Sequence, residues 1–189
     1  YPNFKLGLDY FKKSKNYLLF AFLIFLISIA IGYAFPQIFE KQILKIIQEL
    51  VKKTEGLNAV ELIVFIISNN LKSAFLGMIF GIFLGVIPFL ITVVNGYLLG
   101  FVMDRGVSAQ GFLVLWRLFP HGIFEIPAVI ISIGLGLRLG MFIFLYHKKD
   151  KRKEFWKWLK DSFRVFLLIA VPLLVIAGII EGFLIWVLG

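Results

Sequence analysis

Long apolar runs dominate the chain and alternate with shorter polar segments. One run extends from Tyr17 to Phe35 without a charged residue, and no charge lies between Lys72 and Asp104. About 20 consecutive apolar residues are enough for a helix to cross the hydrocarbon core of a bilayer. The pattern therefore predicts an all-α polytopic membrane protein.

The number of spans depends on how the long apolar interval after Lys72 is divided. At about 1.5 Å of rise per residue, this interval is too long for one straight transmembrane helix. Pro88 lies near its middle, so we place a break there, and Asn69 and Asn70 form a polar break before it. This division predicts about five transmembrane helices. They cover residues 17–35, 71–87, 89–103, 120–146 and 165–188.

The polar segments between these spans predict helices at the membrane surface. Residues 36–68 place apolar residues at helical spacing opposite lysines, which predicts extracytoplasmic amphipathic helices. Asn58 and Glu61 have the spacing of a helix N-cap and its N3 partner, so the second of these helices begins there. Residues 147–164 contain eight basic and three acidic residues, which predicts a basic cytoplasmic interfacial helix that contacts anionic lipids. Residues 111–119 are too few to cross a bilayer and predict a re-entrant or surface segment.

The basic segments also predict the topology. Residues 1–16 and 147–164 are both rich in lysine, so the positive-inside rule places both in the cytoplasm. Four predicted spans separate them, which puts the N-terminus inside and the C-terminus outside the cell membrane. If residues 71–103 formed one bent helix, the second basic segment would lie outside, and this alternative is weaker. The first span lacks an Ala-x-Ala cleavage site and is interpreted as uncleaved. We expect a single membrane domain over residues 1–189.

Composition and motifs exclude several classes of function. Hydrophobic residues make up 60% of the 189 residues and the mean hydropathy is +0.94, far above that of a soluble domain. The net charge of +9 could indicate nucleic-acid binding, but the positive residues flank the spans, so we expect no nucleic acid. The chain has no cysteine, which excludes disulfides and thiolate sites. Motifs of the HExxH, GxSxG and phosphate-loop types are missing, so we expect no enzymatic activity.

The stretch from Leu118 to Gly140 combines strong hydrophobicity with ionisable residues, and we expect the chain to be organised around it. His121 and Glu125 are four residues apart and share one helix face, and Arg138 follows in the same run. Pro127 lacks an N–H, which leaves a backbone carbonyl free one turn earlier. Ionisable side chains at membrane depth mark a functional site or a buried polar pair. The predicted intramembrane polar patch consists of His121, Glu125, Asn69, Asn70, Asn95, Arg117 and Arg138.

Three uses of this patch remain open. The polar side chains could bridge helices and lock them together, as in many membrane bundles. Broken helices near Pro120 and Pro127 could instead line a cavity for a small solute or ion, as in transporters. A metal bound by His121 and Glu125 is the least favoured use, since a third ligand would come from an asparagine or Glu181. We expect no cofactor.

Small residues at four-residue spacing predict close contacts between helices. Gly77, Gly81 and Gly85 form a double GxxxG ridge, and Ser28 and Gly32 form a smaller one on the first span. From the ridge we predict a homodimer. The predicted packing positions are Gly77, Gly81, Gly85, Gly96, Gly100, Gly136 and Gly140.

Four pieces of sequence between residues 69 and 140 together resemble the stage II sporulation protein M family of integral membrane proteins. They are Asn69-Asn70 before a glycine-rich span, Asn95-Gly96 with Gly100, PHGIFEIPA at residues 120–128 and GLRLG at residues 136–140. The order and spacing of the pieces make the resemblance far more specific than any single piece.

The resemblance implies an architecture and a shared polar site rather than a reaction. In spore formers, the family's namesake works with cell-wall hydrolases during engulfment of the forespore, and similar proteins occur in archaea without peptidoglycan. It therefore implies a non-enzymatic scaffold or assembly component with an unidentified membrane or extracytoplasmic protein partner. Transport of a small solute or ion through the polar patch is the alternative.

Overall fold

The structure, a computed structural model, describes the backbone of residues 2–145 and 150–188. It describes the side chains in these ranges except at positions 2, 3, 117–119, 121, 145 and 188. Within the described ranges the regular elements are all helices, and five of them are long and apolar enough to cross a membrane. The prediction of an all-α membrane protein with about five spans is therefore confirmed.

Eight α-helices follow one another along the chain, with short 3₁₀ segments before α3, after α4 and before α6. They are α1 (Pro2–Lys13), α2 (Lys15–Ala34), α3 (Glu40–Thr54), α4 (Ala59–Ile79), α5 (Val86–Gln110), α6 (Phe119–Leu145), α7 (Lys151–Val165) and α8 (Val171–Leu188). A π-helical segment, Phe166–Ala170, joins α7 to α8. The membrane spans are α2, α4, α5, α6 and α8.

Helix α4 begins earlier than the apolar pattern predicted. Asn58 caps it by accepting hydrogen bonds from the backbone N–H groups of Val60 and Glu61 at 3.0 and 3.1 Å. Glu61 in turn accepts from the N–H of Asn58 at 2.9 Å, which completes the expected capping box. However, the helix continues through Asn69 and Asn70, so the polar break predicted there is wrong. An asparagine costs only about 0.7 kcal/mol relative to alanine inside a helix, and flanking apolar residues offset this cost.

The turn between α4 and α5 lies at residues 83–85 rather than at Pro88. Leu84 and Gly85 adopt left-handed backbone conformations, with φ of 56° and 73°, and reverse the chain there. Pro88 then falls in the first turn of α5, where a missing N–H leaves no helical hydrogen bond unmade. A proline in a long apolar run can therefore mark the start of a helix as well as a break within one.

The predicted interfacial helix of residues 147–164 corresponds to α7, as far as the described residues go. Helix α7 continues through the π-helical segment into α8, so the last span and the basic helix form one long element. Pro172 lies two residues beyond the π-helical segment, and helices commonly bend at prolines and at π-helical turns.

Helix α6 occupies the centre of the bundle. In the apolar stretch of α6 that is long enough to cross a membrane, 72% of the residues are buried inside the protein. In the corresponding stretches of the other four spans the share is 22–33%. It contacts α2, α4, α5 and α8, which form two further close pairs, α2 with α5 and α4 with α8. Outside the bundle, α1 packs against α7, and α3 begins beside α5, where Arg105 and Glu40 form an ion pair at 2.6 Å.

Glycines set the closest approaches between these helices. A Cβ atom at Gly81 would lie 2.5 Å from the Cα of Gly136, and one at Gly140 would lie 2.5 Å from the carbonyl oxygen of Gly81. Between α2 and α5, a Cβ at Gly96 would lie 2.8 Å from the carbonyl oxygen of Phe25. These distances are far below ordinary van der Waals contact, so side chains larger than hydrogen do not fit.

The glycine ridge of Gly77, Gly81 and Gly85 therefore lies inside a single chain. Its partner surface is the face of α6 that carries Gly136 and Gly140, rather than a second copy of the protein. The surface to which we assigned a homodimer is thus already covered. A dimer formed through another surface stays a prediction.

Candidate functional site in the membrane bundle

The structure distributes the predicted patch over separate places along α6 and its neighbours. Glu125 and Asn95 line one cavity together, whereas Arg138 lies 13 residues farther along α6, about 20 Å away at the rise of an α-helix. The side chains of His121 and Arg117 lie outside the described part of the structure. We therefore treat the Glu125 cavity and the Arg138 site separately.

The first site is a cavity of about 220 Å³ among α2, α5 and α6. Its wall is apolar, with Phe25 and Val102 among its residues, apart from the carboxyl group of Glu125 and the amide group of Asn95. The Asn95 amide donates to the carbonyl oxygen of Ile91 at 2.8 Å. Among the described residues, neither its oxygen nor the Glu125 carboxyl group has a hydrogen-bond or ion-pair partner. The cavity thus presents two oxygen-bearing groups to whatever fills it.

Glu181, named above as a possible third ligand of a metal at His121 and Glu125, lies on α8. Helix α8 packs against α6, so the carboxyl groups of Glu181 and Glu125 lie in the same apolar bundle. A charged carboxyl group is costly in apolar surroundings unless it is paired, so each of the two offers a site for a cation. Only the packing of α8 on α6 places these two carboxyl groups in one bundle. In the sequence, Glu181 stands out as the one acidic residue of the last predicted span.

Asn69 and Asn70 do not line this cavity. They lie on α4, where Asn69 is exposed and Asn70 is half-buried. In the described part of the chain, neither side chain makes a hydrogen bond. These residues therefore add no polar group to the site around Glu125.

A metal site stays an untested alternative. The described residues contain no group of three or more histidine, aspartate or glutamate side chains placed to hold a metal ion. The His121 side chain lies outside that search. The described polar side chain that shares the cavity with Glu125 is the amide of Asn95, and a carboxylate with an amide is unlike the ligand set of a typical zinc site.

The second site surrounds Arg138, whose side chain is only 6% exposed. One terminal nitrogen, Nη1, donates to the carbonyl oxygen of Tyr10 at 2.9 Å and to the hydroxyl of Ser14 at 2.8 Å. The guanidinium carbon lies 3.9 Å from the centre of the Tyr10 ring and 4.6 Å from that of Trp158. Arg138 thereby connects the central helix to α1 and α7, which pack together outside the membrane bundle.

Tyr10 is itself held by a hydroxyl from α7. The Ser162 side chain donates to the Tyr10 phenol oxygen at 3.1 Å, and burial raises the pKa of Tyr10 to about 12. The phenol is therefore neutral at physiological pH. Tyr10, Ser14, Trp158 and Ser162 were missed by sequence reasoning because α1 and α7 are far apart in the chain.

Four apolar helices packed around a fifth, buried one define a multi-pass α-helical membrane protein. The family model of stage II sporulation protein M matches residues 21–184, and the chain belongs to this family. This confirms the resemblance carried by the segments between residues 69 and 140.

Two relatives come from the archaeon Methanocaldococcus jannaschii. The uncharacterized protein MJ0706 is 30% identical over 187 residues, covering 90% of this chain and 81% of the relative. The uncharacterized protein MJ0793 is 33% identical over 122 residues, covering 63% of this chain and 68% of the relative. No solved structure matches the chain significantly.

Proposed function

We propose that this chain is a non-enzymatic membrane scaffold or assembly component that holds other proteins at the membrane. The observation that carries this proposal is the way α6 is fixed in the bundle. Gly136 and Gly140 of α6 meet the backbone around Gly81 directly, and Arg138 ties the same helix to α1 and α7. A fixed bundle of this kind suits a platform that presents surfaces at constant positions.

The platform would present one polar layer on each side of the membrane. In the proposed topology, α1 and the basic helix α7 face the cytoplasm, and α3 lies outside, anchored through Ile43 against Tyr97 and Phe101. Helix α3 also exposes lysines and apolar side chains on its outer face. These layers, rather than the interior of the bundle, would bind the partner protein.

Transport of a proton or small cation is the second candidate. The cavity lined by Glu125 and Asn95 favours it, because the oxygen atoms of these two side chains have no hydrogen-bond partner among the described residues. Conduction would need a continuous path, and alternating access would need the α2–α5 pair to move against the α4–α8 pair around α6. The glycine contacts oppose the second requirement, so we rank this candidate below the scaffold.

Ion flux into liposomes separates the two candidates. We would reconstitute the parent, Glu125→Gln and the control Glu49→Gln, which removes an exposed carboxylate on α3. Proton, sodium and potassium fluxes would be driven by imposed gradients, with gramicidin as the positive control. The scaffold predicts that all three proteins match protein-free liposomes. Flux through the parent and Glu49→Gln that is lost in Glu125→Gln would establish transport instead.

Cross-linking in native membranes tests the scaffold directly. Because the chain has no cysteine, a single cysteine can be placed at Lys45 on α3, at Lys153 on α7 or at the lipid-facing Ile179 on α8. A thiol-reactive cross-linker should give a product of one defined mass from at least one of the polar layers and none from Ile179. If neither polar layer cross-linked to a protein, the scaffold proposal would be wrong.

A further inference from the structure

A second cavity lies outside the Glu125 site, in the groove between α1 and α7. Its volume is about 160 Å³, and Arg138 forms part of its wall. Water occupies about 30 Å³ per molecule in the liquid, so the cavity has room for about five water-sized groups. A phosphate group, with five heavy atoms, is of this size.

Arg138 brings unused hydrogen-bond donors to this cavity. A guanidinium group carries five N–H donors. The two on Nη1 bind Tyr10 and Ser14, and the three on Nη2 and Nε have no acceptor among the described residues. No carboxylate of the described chain lies within ion-pair distance of this buried cation, although buried charges in proteins are normally paired.

The charges around the cavity favour a single negative charge inside it. Lys13, Lys157 and Arg138 line it together with Asp9, Glu154 and Asp161, so the wall itself is neutral, with three charges of each sign. Arg164 pairs directly with Asp161 from outside the wall, which leaves an excess of one positive charge in the group. Glu154 is in turn occupied by Lys157 at 3.9 Å. The buried positive charge without a carboxylate partner among the described residues is that of Arg138.

The position of the cavity fits a ligand at the level of lipid headgroups. Helix α1 ends at Lys13 and the span α2 starts at Lys15, while α7 runs directly into the last span. The groove therefore lies where two transmembrane helices leave the apolar layer. Lipid phosphates are found at this depth, just beyond the hydrocarbon core.

We propose that this cavity binds a phosphate group of single negative charge through the free N–H groups of Arg138, with Lys13 and Lys157 at its rim. Arginine suits this role because its planar array of donors matches two phosphate oxygens at once. The group can come from a phosphodiester lipid or from free phosphate. Bound there, it would complete the contact between α1, α6 and α7. The scaffold proposal also uses Arg138, as a tie between α6, α1 and α7, but it does not require a bound phosphate, so either proposal can fail without the other.

The test measures binding to the purified full chain in a nonionic detergent. The probes are dihexanoylphosphatidylglycerol, inorganic phosphate and uncharged dihexanoylglycerol, and the readouts are native mass spectrometry and the shift in thermal unfolding temperature. Lys13→Gln with Lys157→Gln removes the rim charges. Its matched control, Lys12→Gln with Lys160→Gln, removes two exposed lysines from the same helices outside the cavity wall. Arg138→Gln removes the central donor.

We expect the phosphodiester to bind the parent and the control pair equally, to bind the rim pair about tenfold more weakly, and to bind Arg138→Gln not at all. Equal binding of inorganic phosphate would identify free phosphate as the source and support the same site. Failure of both phosphates to bind, equal binding of the uncharged lipid, or equal weakening in the two lysine pairs would overturn the proposal. If Arg138→Gln does not fold, the comparison of the two lysine pairs decides.

Discussion

The contact between the α4–α5 turn and the central helix can be tested with a single methyl group. Replacing Gly81 by alanine places a Cβ atom 2.5 Å from the Cα of Gly136, and its carbonyl oxygen is closer still. Ordinary contact begins at 3.4 Å, so the two backbones must separate by at least 0.9 Å, the difference of these two distances. A radial gap of this size forfeits roughly a quarter to a half of the dispersion energy of each contact pair.

The expected loss of stability follows from two opposing effects. Overpacking of this kind costs roughly 1–3 kcal/mol, whereas alanine gains at most about 1 kcal/mol over glycine in a helix. Gly77→Ala is the matched control on the same ridge, because its nearest neighbours are side-chain carbons of Ile133 and Ile91 at 3.6 and 3.8 Å. It should be as stable as the parent or slightly more stable. Gly81→Ala should fall below it by roughly 1–3 kcal/mol.

Unfolding in mixed micelles measures this difference directly. The fraction of sodium dodecyl sulfate would be raised stepwise for the parent and both variants, with far-ultraviolet circular dichroism as the signal. If Gly81→Ala unfolded together with Gly77→Ala, α6 would not pack against the turn as the structure describes. Equal destabilisation by both variants would likewise contradict the reasoning. Only the methyl group added at Gly81 would lie against backbone atoms of α6, whereas the one added at Gly77 would lie against side chains.

Three further predictions concern topology, the cavity and pH. A cysteine at Lys151 should be labelled by an impermeant maleimide only from the cytoplasm. A cysteine at Lys45 should be labelled only from outside, and labelling of both from one side would refute the topology. Glu125→Gln should leave the unfolding temperature unchanged or raise it, because the carboxyl group has no hydrogen-bond or ion-pair partner among the described residues and glutamine removes a charge from apolar surroundings; a marked decrease would show that the carboxylate is needed. Since burial raises the pKa of Tyr10 to about 12, the folded state favours the protonated phenol, so stability should decrease as pH rises from about 10 to 12. The decrease should be smaller in Tyr10→Phe, by up to roughly 2–3 kcal/mol, and an equal decrease would refute this assignment.

The apolar pattern predicts the spans well because membrane helices must satisfy their backbone hydrogen bonds internally. The number of spans and the capping box at Asn58 could both be predicted in this way. The ends of the helices could not be predicted, since the chain does not break at Asn69 and Asn70 or at Pro88. A sequence shows which residues have a low helix propensity, but packing decides whether a helix continues through them. In α4 the helix continues through Asn69 and Asn70.

The candidate sites depend even more on packing. Glu125 could be singled out as an ionisable residue in an apolar run, but the cavity that it shares with Asn95 arises from the packing of α5 against α6. Arg138 and Glu125 lie in one stretch of sequence, which favours grouping them in one site. Along an α-helix, however, the 13 residues between them correspond to a distance of about 20 Å. The GxxxG ridge likewise predicts a close helix contact without specifying whether the partner helix belongs to the same chain.

The central claim is that α6 holds the two flanking helix pairs in one fixed arrangement. Spin labels on cysteines at Val94 of α5 and Ile179 of α8, both exposed on the lipid side, report the distance between these pairs. Double electron–electron resonance in liposomes would be recorded at pH 5 and pH 8, with and without sodium. A fixed platform predicts one narrow distance distribution that is the same under all conditions. A second population, or a distance that shifts with pH or sodium, would contradict the account and favour a transporter.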